Sequence, residues 1–272
     1  MTVRFYKYQG AGNDFILIDN REKCFLWDNT LVRRLCHRHT GIGGDGLMLL
    51  ENDDRYEFYM RYFNSDGGEV PMCGNGGRCI TLFAHHLGIG GRIKTFNSMD
   101  GLHKAEIIST HGECARIAIR LIDVTEIKEI GNALFLNTGV PHYVEFTNRI
   151  DTVDVTAEGK EIRFRGYFRP YGGTNVNFVE VAERGKIKVR TYERGVEGET
   201  LACGTGVSAA AIATSYLFQP EQERFNIQAQ GGELSVSFQR QGKTSYTNII
   251  LEGPACRVFS GEIDYEPPCP RL

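Results

Sequence analysis

The sequence has no long hydrophobic run and no large excess of charge of either sign. Its longest apolar stretches, at 15–18, 47–50 and 209–213, cover only a few residues, whereas a helix needs about 18 to cross a bilayer. The 31 basic residues are nearly balanced by 34 acidic ones, for a net charge of −3. Proteins that bind nucleic acid or an anionic membrane usually carry a basic excess. We therefore expect no membrane span, no membrane partner and no nucleic-acid partner.

Cysteine is also sparse, since the eight cysteines make up only about 3% of 272 residues, far below the density of a disulfide scaffold. The first ten residues lack the apolar core of a signal peptide. We therefore predict a cytoplasmic protein whose thiols are mostly reduced. The 41% hydrophobic and 24% charged residues are typical of a globular protein rather than a disordered chain or a coiled coil.

Glycine, in contrast, is abundant: 32 of the 272 residues are glycine, about 12% against a usual value of about 7%. The excess is concentrated in tight clusters, at 10–12, 41–46, 67–68, 74–77, 172–173, 195–198 and 204–206. Such clusters are typical of sharp turns and of places where the backbone comes close to a ligand.

Short strands dominate the rest of the pattern. Segments rich in aromatic and β-branched residues predict strands at 3–8, 15–19, 47–51, 56–63, 113–120, 135–137, 142–146, 176–181, 186–192, 233–238 and 246–251. Four helices are predicted, at 31–39, 76–87, 157–163 and 206–218.

Two of these helices begin in similar surroundings. CGNG (73–76) precedes the helix at 76–87, and CGTG (203–206) precedes the helix at 206–218. The two motifs are separated by nearly half the chain, a period too long for a solenoid. We therefore predict an α+β protein of two similar domains, each a mixed β-sheet wrapped barrel-like around a central helix.

A thiol at the start of a helix lies at the positive end of the helix dipole, beside backbone N–H groups that have no partner within the helix. This position lowers a cysteine pKa from about 8.5 to about 3.5–7.5. The N–H groups of Gly74, Asn75, Gly204 and Thr205 can also enclose an anion such as a carboxylate.

If the two halves face each other, their helix starts form a symmetric pocket for an α-amino acid. Cys73 and Cys203 would lie on opposite sides of its Cα, so that one removes a proton and the other returns one. Hydrogen-bond donors around the carboxylate would stabilise the charge that develops next to it. No electron-sink cofactor is needed for this chemistry.

The other cysteines are expected to be small buried side chains: Cys24, Cys36, Cys79, Cys114, Cys256 and Cys269. We expect no metal site, because Cys73 and Cys79 stand six positions apart, which exceeds the usual two-to-four-residue spacing of zinc ligands. The stretch 36–39 is interpreted as a solvated helix end.

The motifs MCGNGGRC (72–79) and YERGVEGETLACGTG (192–206) closely resemble the cysteine motifs of the diaminopimelate epimerases, racemases that work without pyridoxal phosphate. Shorter segments agree in the same order: GAGNDF (10–15), GIGGDGL (41–47), FNSDGGEV (63–70), PHYV (141–144), GTNVNF (173–178) and GPACRVFSGEI (253–263). The resemblance covers nearly the whole chain.

The resemblance implies a cofactor-free epimerase that interconverts LL- and meso-diaminopimelate in lysine and peptidoglycan-precursor synthesis, and that forms a homodimer. Cys73 and Cys203 resemble the two acid/base thiols, and His142 and Glu193 resemble residues that tune their protonation. The substrate-binding positions implied in this way are Asn13, Asn64, Gly74, Asn75, Asn175, Glu193, Arg194, Gly204 and Thr205. The planar guanidinium of Arg194 suits a carboxylate.

Two positions depart from the family pattern: Val140 replaces an asparagine, and Gly46 replaces a glutamine. Both changes remove a polar side chain from the expected substrate region. The turn at 123–131 is the predicted boundary between the two halves. By resemblance, the C-terminal segment returns to the first half, which gives domains at 1–125 with 258–272 and at 126–257.

Two other functions stay open. One is a cofactor-independent racemase for another amino acid, such as a proline-type racemase. The other, from a different class, is a thiol redox or metal-binding protein that uses the cysteine-glycine motifs. Arg194 favours a substrate with a second charged end, and therefore the diaminopimelate assignment.

Overall fold

In the computed structural model, which describes residues 1–268, β-strands dominate. The strands within this range are β1 (Thr2–Gly10), β2 (Asn13–Asp19), β3 (Gly46–Glu51), β4 (Phe58–Asn64), β5 (Ile93–Ser98), β6 (Gly101–His111), β7 (Cys114–Arg120), β8 (Ile127–Ile130), β9 (Ala133–Asn137), β10 (Pro141–Phe146), β11 (Asn175–Glu183), β12 (Lys186–Glu193), β13 (Gly198–Thr200), β14 (Arg224–Ala229), β15 (Gly232–Arg240) and β16 (Tyr246–Asp264). The α-helices are α1 (Asn29–Cys36), α2 (Gly74–His86), α3 (Val155–Arg163) and α4 (Gly204–Leu217), with short 3-10 helices at Ile150–Thr152 and Gly166–Tyr171.

These elements form two compact units. The first comprises Met1–Ile119 and the chain from Pro254 onward, and the second comprises Arg120–Gly253. The functional domains expected at 1–125 with 258–272 and at 126–257 stay a prediction, and residues 269–272 lie outside the described part of the chain. None of the helices within 1–268 is long and apolar enough to span a membrane.

The sheet of the first unit closes on itself. Strands β1 to β7 are hydrogen-bonded in chain order, and the C-terminal part of β16 lies between β7 and β1. The antiparallel register of β16 with β1 extends from Thr2↔Asp264 to Gln9↔Cys256. Because the pairs β2–β3 and β4–β5 are parallel and the others with a described register are antiparallel, this closed eight-strand barrel is mixed.

The second unit has a mixed sheet with the strand order β16-β15-β14-β12-β11-β10-β9-β8, and β13 pairs with β12. The pairs β10–β11 and β12–β14 are parallel. The short strands β8 and β9 form an antiparallel pair at one end of this order.

Each unit encloses one helix. In α2 the stretch 74–84 is buried on every side, and the helix packs against β1, β2, β3 and β6. In α4 nearly every residue from Gly204 to Ser215 is buried against β9 to β12, β14 and β15. A helix that is buried all round is a core helix, so the predicted α+β fold of mixed sheets around central helices is confirmed.

Both central helices begin two residues earlier than predicted, at Gly74 and Gly204 rather than at Gly76 and Gly206. The cysteines themselves are the N-cap residues, and the glycines that were interpreted as a preceding turn belong to the first helical turn. Helix α1 ends at Cys36 instead of position 39, after beginning at the N-cap Asp28.

The remaining cysteines correct two expectations, and Cys269 lies outside the described residues. Cys36 and Cys79 are buried, as predicted, but Cys24 is exposed, so the prediction that it is buried is wrong. Cys114 of β7 and Cys256 of β16 form a disulfide, so the prediction of two separate buried thiols is wrong. These cysteines are 142 residues apart in the sequence, and only the pairing of β7 with β16 brings them together.

Candidate active site

Each unit carries one predicted acid/base cysteine, and we call that cysteine and the first turn of the helix it caps a half-site. In the first unit the cysteine is Cys73, the half-buried N-cap residue of α2. Its sulfur accepts a hydrogen bond from the backbone N–H of Gly76 at 3.2 Å. A Cβ atom at position 76 would lie 3.1 Å from that sulfur and 2.4 Å from Cε of Met48. Glycine therefore lets the sulfur of Cys73 and the side chain of Met48 both approach the first turn of the helix.

Cys203 takes the same position in the second unit, as the N-cap residue of α4. Its sulfur lies 3.5 Å from Oγ1 of Thr205. A Cβ atom at Gly206 would lie 3.3 Å from the sulfur and 2.4 Å from Oδ1 of Asn177. The repeated Cys-Gly-x-Gly pattern thus has one physical reason: in both units the third residue after the cysteine packs against the sulfur.

Cys73 and Cys203 differ in position from Cys36 and Cys79, because each of the first two is the N-cap residue of a helix. Burial raises the pKa of Cys36 to about 12 and that of Cys79 further still, so both remain protonated at neutral pH. Cys73 and Cys203 instead lie at helix N-termini, where the dipole and the unpaired N–H groups favour the thiolate. The acid/base role predicted for these two sulfurs stays a prediction.

Two predicted substrate-binding asparagines come together in the first unit. The β1–β2 hairpin turns through Ala11 (φ 53°) and Gly12 (φ 83°), a two-residue loop with left-handed backbone that suits hairpins, and Asn13 follows directly. Nδ2 of Asn75 donates to Oδ1 of Asn13 at 3.3 Å. Nδ2 of Asn13 donates to Oδ2 of Asp45 at 2.6 Å, which orients both amides.

Asp45 belongs to an ion cluster that the sequence analysis missed. Nη2 of Arg38 lies 2.7 Å from Oδ1 of both Asp45 and Asp14, and Nζ of Lys7 lies 2.7 Å from Oδ2 of Asp14. Burial alone would raise the pKa of Asp14, but hydrogen bonds from Arg38 and Lys7 outweigh it and lower the pKa to about 2. The carboxylate that holds Asn13, that of Asp45, is thus anchored by the guanidinium of Arg38. Asp45 lies within the GIGGDGL motif, and that motif is the sequence signal from which its role could have been suspected.

Asn64 lies apart from this amide chain. It is exposed at the end of β4, opposite Gly46 in the β3–β4 register, and no described hydrogen bond joins its side chain to Asn13 or Asn75. A Cβ atom at Gly46 would lie 2.5 Å from the carbonyl oxygen of Phe63 and 2.6 Å from the ring of Tyr62. The ring of Tyr62 therefore takes the space that a larger residue at position 46 would need.

In the second unit, His142 is held by a residue absent from the predicted set, Asn177. Nδ2 of Asn177 donates to the carbonyl of Tyr143 at 3.0 Å and lies 3.1 Å from Nδ1 of His142. Oδ1 of Asn177 accepts from Oγ1 of Thr191 at 3.0 Å. Because a carbonyl can only accept, the amide orientation follows, and Nδ1 of His142 is the acceptor. The ring proton is therefore on Nε2.

His142 is a neutral imidazole in this environment. Burial, with a further contribution from the charge of Arg194, lowers the pKa of His142 to about 3 despite the hydrogen bond from Asn177. Its buried Nε2 has no hydrogen-bond partner among residues 1–268. A role of His142 in tuning a thiol stays a prediction, and it would act as a neutral N–H donor rather than as a cation.

The predicted residues Asn175 and Arg194 are joined directly. Oδ1 of Asn175 accepts from the backbone N–H of Arg194 at 2.7 Å, and Nη1 of Arg194 donates to the carbonyl of Tyr171 at 3.1 Å. The carboxylate of the preceding residue, Glu193, accepts from Oγ1 of Thr200 at 2.9 Å. Two consecutive residues at the end of β12 thus carry a carboxylate and a guanidinium. Thr200 holds the carboxylate of Glu193, and Tyr171 holds the guanidinium of Arg194.

Glu197 closes the turn that carries Arg194. It has a left-handed backbone (φ 55°), and its carboxylate accepts from the N–H of Gly195, from Arg163 and from the hydroxyl of Tyr192, each at 3.1 Å. The YERGVEG segment was recognised by its motif, but the three hydrogen bonds of Glu197 depend on side-chain geometry and were not predicted.

The loop before β10 reaches the first turn of α4. Oγ1 of Thr138 donates to the carbonyl of Thr205 at 2.9 Å. Val140, one of the two departures from the family pattern, is half-buried in this loop. The loop therefore supports the helix start through Thr138.

The neutrality of His142 can be tested with Asn177→Asp. The carboxylate cannot donate to Nδ1, so the ring should take up a proton there, and the pKa of His142 should rise towards neutrality. The carboxylate oxygen also faces the carbonyl of Tyr143, which should cost about 1–3 kcal/mol of stability. Ring ¹⁵N NMR should show a neutral Nε2–H form in the wild type between about pH 5 and 8.

Thr191→Val is the matched control, because it removes the contact to Oδ1 of Asn177 but keeps the Nδ2 donor. It should leave His142 neutral. Identical ring spectra for Asn177→Asp and the wild type would contradict the assigned role of Asn177.

The same fold occurs in solved structures of low sequence identity. The chain aligns with a Bacillus anthracis phenazine biosynthesis protein at a TM-score of 0.77 and 13% identity, covering 97% of this chain and 100% of the other. It aligns with a hydroxyproline epimerase from Agrobacterium vitis at a TM-score of 0.69 and 14% identity, covering 99% and 93%. The chain therefore has the two-domain fold of the proline-racemase-like proteins.

Sequence comparison is more specific. The diaminopimelate epimerase family model matches residues 5–114 and 134–258. The diaminopimelate epimerase of Flavobacterium psychrophilum is 47% identical over 262 residues, which covers 96% of this chain and 100% of that protein. This chain belongs to the diaminopimelate epimerase family, and it is an isomerase. The resemblance found in its motifs is confirmed.

Proposed function

We propose that this protein interconverts LL- and meso-diaminopimelate, with Cys73 and Cys203 as its two acid/base groups. The observation that carries the proposal is the duplicated site: each unit begins its buried central helix with a cysteine N-cap followed by a glycine packed against the sulfur. The substrate is inferred from the relatives that are named diaminopimelate epimerase. Lysine biosynthesis follows from the same family membership.

The helix starts bind the carboxylate next to the reacting carbon. Their first N–H groups have no acceptor within the helix and point along the positive end of the dipole. The residues that supply them are Gly74 and Asn75 in α2 and Gly204 and Thr205 in α4. Negative charge that spreads from Cα onto the carboxylate is stabilised by the same donors, which lowers the barrier to proton removal.

One thiolate removes the α-proton and becomes a thiol, leaving a carbanion conjugated with the carboxylate. The other cysteine, as a thiol, donates its proton to the opposite face of that carbon and becomes a thiolate. The configuration at Cα is inverted, and the two sulfurs have exchanged protonation states. The reverse reaction uses the same groups in the opposite roles, so no cofactor is required.

The remaining polar residues bind the substrate's charged groups. Arg194 pairs with the distal carboxylate, and Glu193 with Asn13, Asn64 and Asn175 takes the ammonium groups. Glu193 and the neutral His142 also tune the protonation of the thiols. A cytoplasmic location stays a prediction, and so does the homodimer implied by the family resemblance; sedimentation analysis of the purified protein tests the second.

Isotope exchange tests the reaction directly. In heavy water, LL-diaminopimelate should gain deuterium at Cα while the meso isomer accumulates, because the returned proton comes from a thiol that has exchanged with solvent. NMR and chiral chromatography follow both events. Activity should persist after dialysis against EDTA and in hydroxylamine, which traps carbonyl cofactors. Inversion without solvent deuterium at Cα, or no reaction with either isomer, would overturn the proposal.

A further inference from the structure

The largest fully buried side chain of the first unit is an arginine without a carboxylate partner. Arg78 lies in α2, five positions after Cys73, with 0% of its surface exposed. Within residues 1–268 its guanidinium has only neutral acceptors: the carbonyl of Gly74 at 3.1 Å, Oδ1 of Asn75 at 2.8 Å and the carbonyl of Pro254 at 3.2 Å. No described carboxylate is paired with it.

Such burial is costly for the fold. Removing a charge from water destabilises a protein unless a counter-charge and hydrogen bonds compensate, and apolar replacements of similar volume are often as stable. The residues that bind Arg78 are nevertheless tightly packed. A Cβ atom at Gly10 would lie 3.2 Å from the carbonyl oxygen of Asn75 and 3.3 Å from that of Pro254, and both residues accept hydrogen bonds from Arg78. Stability alone does not explain a cation at this position.

The hydrogen bonds of Arg78 act on the half-site. Two of its three acceptors, Gly74 and Asn75, are the first two residues of α2 and are proposed to bind the carboxylate. The bond to Oδ1 of Asn75 turns the Nδ2 of that amide towards Oδ1 of Asn13. Arg78 is therefore one end of a chain of side chains that continues through Asn75 and Asn13 to Asp45.

The charge of Arg78 also has few possible partners. The titratable groups whose charges act on it are Cys79 and Cys73 of α2 and the guanidinium of Arg116 on β7. Burial lowers the pKa of Arg78 to about 10, so it remains a cation at neutral pH. Burial also keeps the thiol of Cys79 protonated. Cys73 is then the group in this set that can supply a negative charge.

We propose that Arg78 is a positioning residue that prepares the Cys73 half-site: its guanidinium holds the Gly74–Asn75 turn, and its unpaired charge favours the thiolate of Cys73. The part that concerns substrate rests on the proposed epimerase function. The part that concerns Cys73 does not, since it describes the free protein.

Three full-length variants separate these effects. Arg78→Met keeps most of the volume but loses the charge and the hydrogen bonds, whereas Arg78→Lys keeps the charge but loses the planar fork. Lys94→Met is the matched control, because Lys94 is equally buried in the same unit and is held by the carbonyls of Ile89 and Gly91, beyond the C-terminal end of α2.

The first measurement is the rate of alkylation of Cys73 by iodoacetamide against pH, read by mass spectrometry of its own peptide. In Arg78→Met the pH midpoint should rise by about 1 unit, as expected on removal of a nearby opposite charge. In Arg78→Lys and Lys94→Met it should stay at the wild-type value. An unchanged midpoint in a folded Arg78→Met variant, or an equal rise in Lys94→Met, would overturn the electrostatic role.

The second measurement is kcat and KM for diaminopimelate. Arg78→Lys should lose at least about 10-fold in kcat/KM, because the amide of Asn75 is no longer held, while Lys94→Met should keep the wild-type value. If Arg78→Met does not fold, Arg78→Lys still decides the positioning role, and wild-type kcat/KM in that variant would overturn it. If the wild-type protein does not epimerise diaminopimelate, the proposed function fails, but the alkylation profile still tests Arg78.

Discussion

Replacing Cys73 or Cys203 by alanine is expected to lower the epimerisation rate by at least about 10³-fold, because each variant lacks one of the two proton carriers. Replacement by serine should also lower the epimerisation rate by orders of magnitude, since a hydroxyl is a far weaker acid and base than a thiol at neutral pH. Initial rates in both directions, from LL- and from meso-diaminopimelate, measure the loss.

The fold should survive these changes. The sulfur of Cys73 accepts the capping N–H of Gly76, so alanine there should cost about 1 kcal/mol. Within the described chain, Cys203 makes no capping hydrogen bond through its sulfur, and alanine should cost less. Thermal unfolding separates this loss of stability from the loss of activity.

Cys79→Ala is the matched control for the thiol chemistry. Cys79 lies on the same helix as Cys73, but its thiol is buried and remains protonated, so turnover should continue. Retention of most activity in Cys73→Ala or in Cys203→Ala would remove the two-thiol mechanism, and equal loss in Cys79→Ala would point to damaged packing instead.

Lysine should be a very poor substrate, with kcat/KM about 10⁴-fold below that of diaminopimelate. Lysine lacks the distal carboxylate, and a site built to bind a charged group leaves its own donors unpaired when that group is missing. The structure supplies such donors: within residues 1–268, the guanidinium of Arg194 makes one hydrogen bond to the chain, through Nη1 to Tyr171. Steady-state rates on the two amino acids give the ratio.

Arg194→Lys should lower kcat/KM for diaminopimelate by about 10- to 100-fold, because an ammonium cannot reproduce the paired hydrogen bonds of a guanidinium. The backbone bond to Asn175 is unaffected by this change. Arg169→Lys, at an exposed arginine in the nearby 3-10 helix, is the control and should keep full activity. Comparable wild-type rates on lysine and diaminopimelate would move the assignment to a cofactor-independent racemase for another amino acid.

Local pattern was sufficient for much of the fold and for the centre of the site. The glycines at 76 and 206 show why: a Cβ atom at either position would crowd the cysteine sulfur three residues earlier, so the pattern lies in residues that are close along the chain. The central helices were recognised from their apolar composition, although their first turns were not. Some strands, such as β5, β6 and β14, were missed. In β5 the buried face carries the polar residues Lys94 and Ser98 and the opposite face exposes Ile93, so hydrophobicity does not follow the alternation of the strand.

The supporting residues of the site could not be found in this way. Asp45 follows a glycine cluster in the sequence, but its role depends on the amide of Asn13, 32 positions away. Asn177 lies in a recognised motif, yet its importance comes from the orientation of one amide between β10 and β11. The direction of such a hydrogen bond is set only in the folded chain, and no periodic pattern in the sequence indicates it.

The duplicated Cys-Gly-x-Gly motifs beside two helices, the strand-rich α+β class and the family could be predicted from the sequence, because each of these depends on residues that are neighbours along the chain. Only the tertiary structure decided that Cys114 bonds to Cys256, that His142 is neutral and that Arg78 is buried without a carboxylate. Burial and pKa depend on everything that packs around a group. For the disulfide and for Arg78 those surroundings include the distant residues Cys256 and Pro254, whereas Asn177, which contacts His142, is only 35 positions from it in the sequence.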